Sequence, residues 1–290
     1  MLTENRKYDL AIIGCGPAGL SAAINAKIRR KNLIICGGEF CSPKLHSSPL
    51  VDNYLGFPKI KGEELRRNFL NHIKEMDIKI YQDRVSAVYP QAKGFEIVRG
   101  ENNIFAKAVI IATGVTSTKF IPGEKEFLGR GVGYCATCDG PLYSGKRVAL
   151  IGYVKDSEKE ANFLAEICET VFFIPLYREQ VGVLKSNIEI VNEEPKQING
   201  RQLVTDLQTE NKRLDVNGIF IYRETVLPEQ LVPGLEIEGS TIKVNRSLET
   251  NISGIYAAGD CTGSPYQLAK AVGEGLVAAL NAVKYLDSSD

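Results

Sequence analysis

The sequence predicts an α/β fold made of two nucleotide-binding-type domains, the second inserted in the first. Three observations carry this prediction. An apolar run, Tyr8 to Ile13, meets Gly14-Cys15-Gly16-Pro17-Ala18-Gly19, followed by a helix-like segment (Leu20 to Arg29) and a second apolar run (Asn32 to Cys36). A second strand-turn-helix unit opens at Lys146 to Ile151, turns at Gly152-Tyr153-Val154-Lys155-Asp156-Ser157, and leads to a strand at Val171 to Ile174. Ala108 to Gly114 and Ser253 to Asp260 then read as two further strands ending in turns. The 290 residues are enough for two cores. The expected division is 1–118 with 248–290 as the outer domain and 119–247 as the insert, each a three-layer ββα, Rossmann-like unit.

Each element has its own warrant. Strand, Gly-rich turn and helix in this order form a dinucleotide-binding unit. Gly14 permits the tight turn, Gly16 lets backbone N–H groups approach a pyrophosphate, and Gly19 lets helix pack against strand; a purely structural turn is the competing reading. The second strand ends in Cys36-Gly37-Gly38, which leaves only the late Glu39 as an acid for a ribose. Glu39 to Pro58 is a long connection ending Val51-Asp52-Asn53-Tyr54-Leu55-Gly56-Phe57-Pro58, and loops of this length are more often functional than idle. Gly62 to Met76 has helical spacing at Leu65, Phe69, Leu70 and Ile73, and strands are expected around Ile78–Tyr81 and Phe95–Val98. A terminal helix, about Gln267 to Tyr285, offers a small-residue face at Ala271, Gly275, Ala278 and Ala279.

Composition excludes several classes. Apolar residues at 44% and charged residues at 24% are those of an ordinary globular protein. Lys plus Arg equals Asp plus Glu at 35 each, so no global field draws nucleic acid or an anionic membrane. No apolar run approaches the ~18 residues of a membrane span. Residues Met1 to Asp9 are polar and lead straight into a strand, with no signal peptide visible. Seven Cys, odd in number and irregularly spaced, make no secreted disulfide framework, so a cytoplasmic protein is expected.

The chemistry centres on Cys135-Ala136-Thr137-Cys138-Asp139-Gly140. Two thiols separated by two residues are a redox pair, half a metal site or a chance core pair. A metal needs a second ligand pair; Cys36, Cys41 and His46, spaced five and five apart, are poor zinc ligands. Asp139 adds a proton donor or acceptor beside the sulfurs, or is only a turn residue before Gly140-Pro141.

Gly14–Gly19, Val51–Pro58, Ala112–Gly114, Gly129-Arg130-Gly131, Cys135–Gly140 and Gly259-Asp260 occur in the order seen in low-molecular-weight flavoprotein thioredoxin reductases. The resemblance runs essentially the whole length, and Cys-Ala-Thr-Cys-Asp-Gly is its most specific word. It implies FAD, with Gly14, Gly16, Pro17, Ala18 and Gly19 at the pyrophosphate and Asn53 near the flavin. Ala112, Thr113 and Gly114 would line the adenine half, and Asp260, after Gly259, would accept from the ribityl hydroxyls. Gln267 and Leu268 match the helix start beneath the isoalloxazine ring, where a helix N-terminus stabilises negative charge. The family's basic residue before this Gln is Tyr266 here. The resemblance further implies Cys138 as the flavin-side sulfur, Cys135 as the interchange nucleophile and Asp139 as the acid for the leaving thiolate. Arg130 matches a position near the thioredoxin-docking surface.

The second turn departs from the family. The family's Gly-x-Gly-x-x-Ala is Gly152-Tyr153-Val154-Lys155-Asp156-Ser157 here, so a branched side chain and a carboxylate stand where a pyrophosphate should lie. The next strand ends Pro175-Leu176-Tyr177 in place of His-Arg-Arg, and the strand Gly218 to Tyr222 runs into Arg223-Glu224-Thr225 without a glycine turn. NADPH is therefore not expected, unless Lys155, Arg178 and Arg223 rebuild a nucleotide site. The sequence is most similar to the ferredoxin-dependent flavin thioredoxin reductase group, which implies ferredoxin as donor, thioredoxin as acceptor, and a homodimer. From a plant-type ferredoxin near ~−400 mV to thioredoxin near ~−270 mV, two electrons fall roughly 6 kcal/mol. Lys27, Arg29, Arg30 and Lys31 form a candidate docking cluster, or simply a solvated helix end. Competing functions are an NADPH-dependent enzyme with a rebuilt site, a reductase of another protein disulfide, and a non-catalytic FAD-binding redox sensor.

Overall fold

The computed structural model describes residues 7–38, 41–82, 84–99, 103–115, 120–223 and 226–288. Glu39, Glu224 and Thr225 lie outside them. The chain forms two compact units, Met1–Thr116 with Leu227–Asp290, and Ser117–Val226.

In the first unit β1 (Lys7–Ile13) leads to α1 (Pro17–Ile28) and β2 (Leu33–Cys36). The short α2 (Pro43–His46), α3 (Gly62–Glu75), β3 (Ile80–Tyr81), β4 (Val85–Gln91), β5 (Gly94–Arg99) and β6 (Ile104–Ile111) follow. The inserted unit contains β7 (Val132–Gly133), α4 (Ala136–Asp139), β8 (Arg147–Gly152), α5 (Ser157–Ile167), β9 (Thr170–Pro175) and β10 (Ile188–Ile190). An antiparallel set, β11 (Pro195–Gly200), β12 (Val204–Thr209) and β13 (Arg213–Asp215), precedes β14 (Gly218–Tyr222). The chain then returns through α6 (Pro228–Leu231), β15 (Ile237–Glu238), β16 (Thr241–Ile242), β17 (Ile255–Ala257) and α7 (Leu268–Ser288).

The first unit's sheet runs β3-β2-β1-β6-β5-β4, with β17 also pairing β6. β1, β2, β3, β6 and β17 are parallel, and the near-continuous apolar sequences of β2, β17 and the C-terminal halves of β1 and β6 reflect burial on both faces. The β4–β5–β6 meander is antiparallel; β4 went unforeseen because its outer half, Tyr89–Gln91, is exposed and carries no core signal. Helix α7 lies on α1 through the expected small residues: Gly275 has no Cβ, and one there would sit 2.1 Å from the Ala18 carbonyl oxygen.

The inserted unit has a fully parallel sheet, β10-β9-β8-β14-β7, with β11-β12-β13 as a separate layer. Its return differs from the sequence expectation of residue 248. Residues 227–247 go with the first unit because Val244 packs on that unit's core and Asn251 ties the strand-poor segment down, donating to the Gly234 carbonyl at 2.8 Å and accepting from the Glu236 N–H at 2.9 Å. Short exposed strands such as β15 and β16 give no periodicity from which such a boundary could be read.

Two disulfides are present, Cys135–Cys138 and Cys15–Cys41. The second is not foreshadowed by any spacing: its partners are 26 residues apart, one in the glycine turn and one in the loop after β2. Cys36, Cys168 and Cys261 remain buried thiols. Alkylation of the oxidised, denatured protein should therefore label three of the seven Cys, and labelling after reduction should reach all seven. Labels on Cys15 and Cys41 before reduction would mean that this second disulfide does not form.

Candidate active site

The first unit builds a cradle at the C-terminal ends of β1 and β6. Gly14 turns the chain at φ +115°, and a Cβ there would lie 2.2 Å from the Ala112 carbonyl oxygen. Gly19 is equally constrained, since a Cβ there would lie 1.9 Å from the Gly14 carbonyl oxygen, and its absence lets the helix start directly over the turn. Gly16 differs: nothing lies within 4 Å of where its Cβ would be. Pro17 opens α1 with its fixed φ, and no side chain caps the helix or places an acid in its first turn. Unsatisfied N–H groups and a positive helix end facing open space fit a pyrophosphate.

Beside it, Ala112 is buried and Gly114 adopts φ +75° with open space around it. The Thr113 hydroxyl is buried without a hydrogen-bond partner. Buried polar atoms are nearly always satisfied, so this hydroxyl fits a site completed by a ligand. The Cys261 thiol donates to the Ile111 and Ala258 carbonyls at 3.4 and 3.3 Å, and burial pushes it up to about 12, which keeps it protonated.

The remaining expected contacts converge from distant sequence. Asn53 donates to Gln267 Oε1 at 2.9 Å. Leu268, the first residue of α7, packs on a cluster of Leu45, Val51, Ile60 and Leu65 that fixes the Val51–Pro58 loop. Asp260, in the turn after β17, lies 3.5 Å from Lys44 Nζ. Lys44 was not anticipated; it is brought there by α2, and Cys41, two residues before that helix, is held by its disulfide and by Arg66 Nε donating to its carbonyl at 2.7 Å. His46 pairs with Glu63 at 2.6 Å, and among the described residues no cluster of three metal-ligating side chains occurs. Tyr266 is half-exposed.

In the inserted unit the Cys135–Cys138 disulfide spans α4. Cys135 is the helix N-cap, and the backbone N–H of Cys138 donates to its sulfur at 3.1 Å. This contact stabilises a thiolate at Cys135 after reduction. Cys135 is half-buried and Cys138 exposed. The Asp139 carboxylate lies over β7, where a Cβ on Gly133 would come within 2.9 Å of it. Burial pushes the Asp139 carboxyl up, and Tyr143 is raised by its own burial and then by the Asp139 charge. Arg130 lies between two positive-φ glycines, exposed, with its guanidinium on the Glu126 carbonyl and 5.6 Å from the Phe127 ring.

The second glycine turn is closed. A Cβ on Gly152 would lie 2.0 Å from Ser157 Oγ, which donates to the Val154 carbonyl at 2.7 Å. Val154 is partly buried and packs against the cluster that includes Ala161 and Leu164 of α5. Glu158 and Glu160 stand in the first turn of α5. Lys155 is committed to Glu158 at 2.8 Å and to the Gln180 carbonyl. Arg223 is 7% exposed and forms a bidentate pair with the fully buried Glu124, both contacts 2.7 Å, under the faces of Phe120 and Tyr153. Tyr134, next to Cys135 in sequence, donates to the same Glu124 at 2.8 Å. Two of the three cations available to rebuild a nucleotide site are thus engaged within the protein; Arg178 is exposed.

Comparison with known proteins agrees with this anatomy. The pyridine nucleotide-disulphide oxidoreductase family matches residues 8–153 and 179–275. Among solved structures, a ferredoxin-flavin thioredoxin reductase from Clostridium acetobutylicum is similar at 50% identity, over 97% of this chain and 99% of its own, with TM-score 0.93. The atypical thioredoxin reductase TRi from Desulfovibrio vulgaris Hildenborough is similar at 29% identity over 97% and 98% of the two chains, with TM-score 0.76. The thioredoxin reductase of Ureaplasma parvum is 32% identical over 96% of this chain and 97% of its own. A glycine cradle of dinucleotide type, a redox Cys pair with a half-buried acid, and these relationships lead to one conclusion: the chain belongs to the pyridine nucleotide-disulphide oxidoreductase family, as a flavin-dependent oxidoreductase of the thioredoxin reductase type.

Proposed function

We propose that the protein is a ferredoxin-dependent flavin thioredoxin reductase, which takes electrons from reduced ferredoxin through FAD to Cys135–Cys138 and delivers them to thioredoxin. The observation that carries the choice of donor is the closed second turn. Its helix start bears acids, its glycine is walled by Ser157, and Arg223 is neutralised by Glu124. A phosphate there would meet negative charge and would have to break a buried bidentate pair, which costs several kcal/mol (roughly 3–5) when one partner is left alone. The 50% identity to the Clostridium acetobutylicum protein supports the same donor. The family resemblance also supports a homodimer acting in the cytoplasm; no helix of the described residues is long and apolar enough to cross a membrane.

In this reading Gly14, Gly16, Pro17, Ala18 and Gly19 hold the pyrophosphate, Ala112, Thr113 and Gly114 the adenine half, Gly259 and Asp260 the ribityl chain, and Asn53, Gln267 and Leu268 the ring. Bound FAD supplies the exchange between single electrons from the donor and the electron pair a disulfide takes. The protein's own sulfur chemistry then follows thiol–disulfide exchange. The Cys135 thiolate, supported by the Cys138 N–H, attacks one sulfur of the thioredoxin disulfide, and the other sulfur leaves as a thiolate. Asp139 gives that thiolate a proton. Cys138 then attacks Cys135 in the mixed disulfide, which releases reduced thioredoxin and restores the Cys135–Cys138 bond. Arg130 contributes to the docking surface for thioredoxin.

Anaerobic absorbance of the FAD-loaded protein tests the donor. Bleaching by chemically reduced ferredoxin, and none by NADPH or NADH, is expected; rapid bleaching by NADPH would overturn the assignment. The order of the sulfurs is tested by trapping. C138S should accumulate a mixed disulfide with thioredoxin through Cys135, whereas C135S should not, and the reverse result would exchange their roles. For Asp139 the sign follows from burial. Because the folded carboxyl is pushed up, its stabilising contribution is complete below the unfolded pKa and is lost as pH rises through the folded one. D139N brings no charge into the site, so its urea midpoint relative to wild type should climb over that window while thioredoxin reduction slows by about 10². An unchanged rate would remove Asp139 from the acid's role.

A further inference from the structure

The turn that carries Asp260 is held from behind by an ion pair on α7. Lys270 Nζ donates to the carbonyls of Gly259 (2.9 Å) and Gly263 (2.8 Å) and contacts Thr262 Oγ1 at 3.0 Å. Glu274, one helical turn on, lies 3.2 Å from Lys270 and accepts from the Gly259 N–H at 2.8 Å and the Thr262 hydroxyl at 2.9 Å. The two side chains are only 17% and 22% exposed, unlike an ordinary surface pair spaced i,i+4. Both turn ends need positive φ, +87° at Gly259 and +108° at Gly263, and a Cβ on Gly259 would be 2.8 Å from Ala18 Cβ. The turn is therefore wedged against the first turn of α1 and clamped by α7, with the Asp260 side chain directed instead to within 3.5 Å of Lys44.

Placing a nearly buried ammonium on three backbone and hydroxyl acceptors is a poor way to stabilise a helix, since desolvation offsets most of the attraction. It is an effective way to fix one backbone geometry, because a side chain with several charge-assisted bonds tolerates few alternatives. We propose that Lys270 and Glu274 are positioning residues that preset the Gly259–Gly263 turn, so that Asp260 meets the sugar-alcohol chain of FAD without reorganisation. This rests on the reading of Asp260 as a flavin ligand. It assigns the pair no contact with the cofactor; they act through Asp260. A preset turn avoids an ordering cost on binding, which appears as affinity.

The test is a double-mutant cycle on FAD affinity, read by flavin fluorescence on titrating apoprotein. K270M and D260N should each weaken binding by on the order of tenfold, the loss of about one hydrogen bond to a charged group. In the D260N background K270M should add less than about threefold, because both changes remove the same contact. The melting temperature of the apoprotein should stay close to wild type while the increase on adding FAD shrinks. T262V, which removes the shared hydroxyl and keeps both charges, should reproduce the effect and serves if K270M does not fold. Additive losses, or equal falls in apo and FAD-bound melting temperature, would make the clamp a part of the fold only and overturn the inference. If wild type binds FAD and D260N does not weaken it, the ribityl role of Asp260 fails and the inference with it. Failure of wild type to bind FAD would instead remove the flavin reading as a whole.

Discussion

Three backbone contacts that only glycine allows hold the first unit's site together. Gly14 rests on the Ala112 carbonyl, Gly19 on the Gly14 carbonyl, and Gly275 on the Ala18 carbonyl, each at a separation where any Cβ would collide. The first brings the end of β6 to the turn, the second seats α1 over it, and the third draws α7 onto α1. Because α7 begins at Leu268 and the Asp260 turn immediately precedes it, this last contact also delivers that turn to the cradle. A single methyl at any of the three would force the layers apart in a close-packed interior that has little room to yield.

The inserted unit repeats the architecture and treats its glycine turn in the opposite way. In α1 the first turn is free of acids and Gly16 faces open space; in α5 acids occupy the first turn and Ser157 fills the place beside Gly152. The N-terminal end of a helix carries partial positive charge, so acids there stabilise the helix itself and compete with any phosphate. The Glu124–Arg223 pair supports the same contrast. Burying two charges is costly, yet here every lone pair is engaged, by Arg223, Tyr134 and the Ile121 N–H. The network occupies the end of β14, while β7 and α4 carry the sulfur pair.

The two disulfides stand in different surroundings. Cys135–Cys138 sits at a helix start with an exposed sulfur and a half-buried acid nearby, which is the environment of a reactive pair. Cys15–Cys41 is almost fully buried and joins the glycine turn to the segment bearing Lys44, which suits a tether. Reactivity follows access and thiolate stabilisation, and only the first pair has both.

What the sequence determined by itself was everything encoded in local order: the two strand-turn-helix units, the small face of α7, the Cys pair, and the departures at Val154 and Pro175–Tyr177. These are short-range signals, in which period, turn residues and spacing already specify the geometry. The family resemblance supplied the candidate residues Asn53, Asp260 and Gln267, but the 214-residue separation between Asn53 and Gln267 is bridged only by packing around Leu268. Tertiary structure alone decided the partner of Cys15, the commitment of Arg223 to Glu124 across 99 residues, and the convergence of Lys44 and Lys270 on the Asp260 turn. Each depends on which charges and sulfurs the fold brings within a few ångströms, and a sequence lists these groups without fixing their distances. The β4 strand and the boundary at Leu227 escaped for the related reason that exposed, weakly apolar segments acquire their place from neighbours rather than from their own pattern.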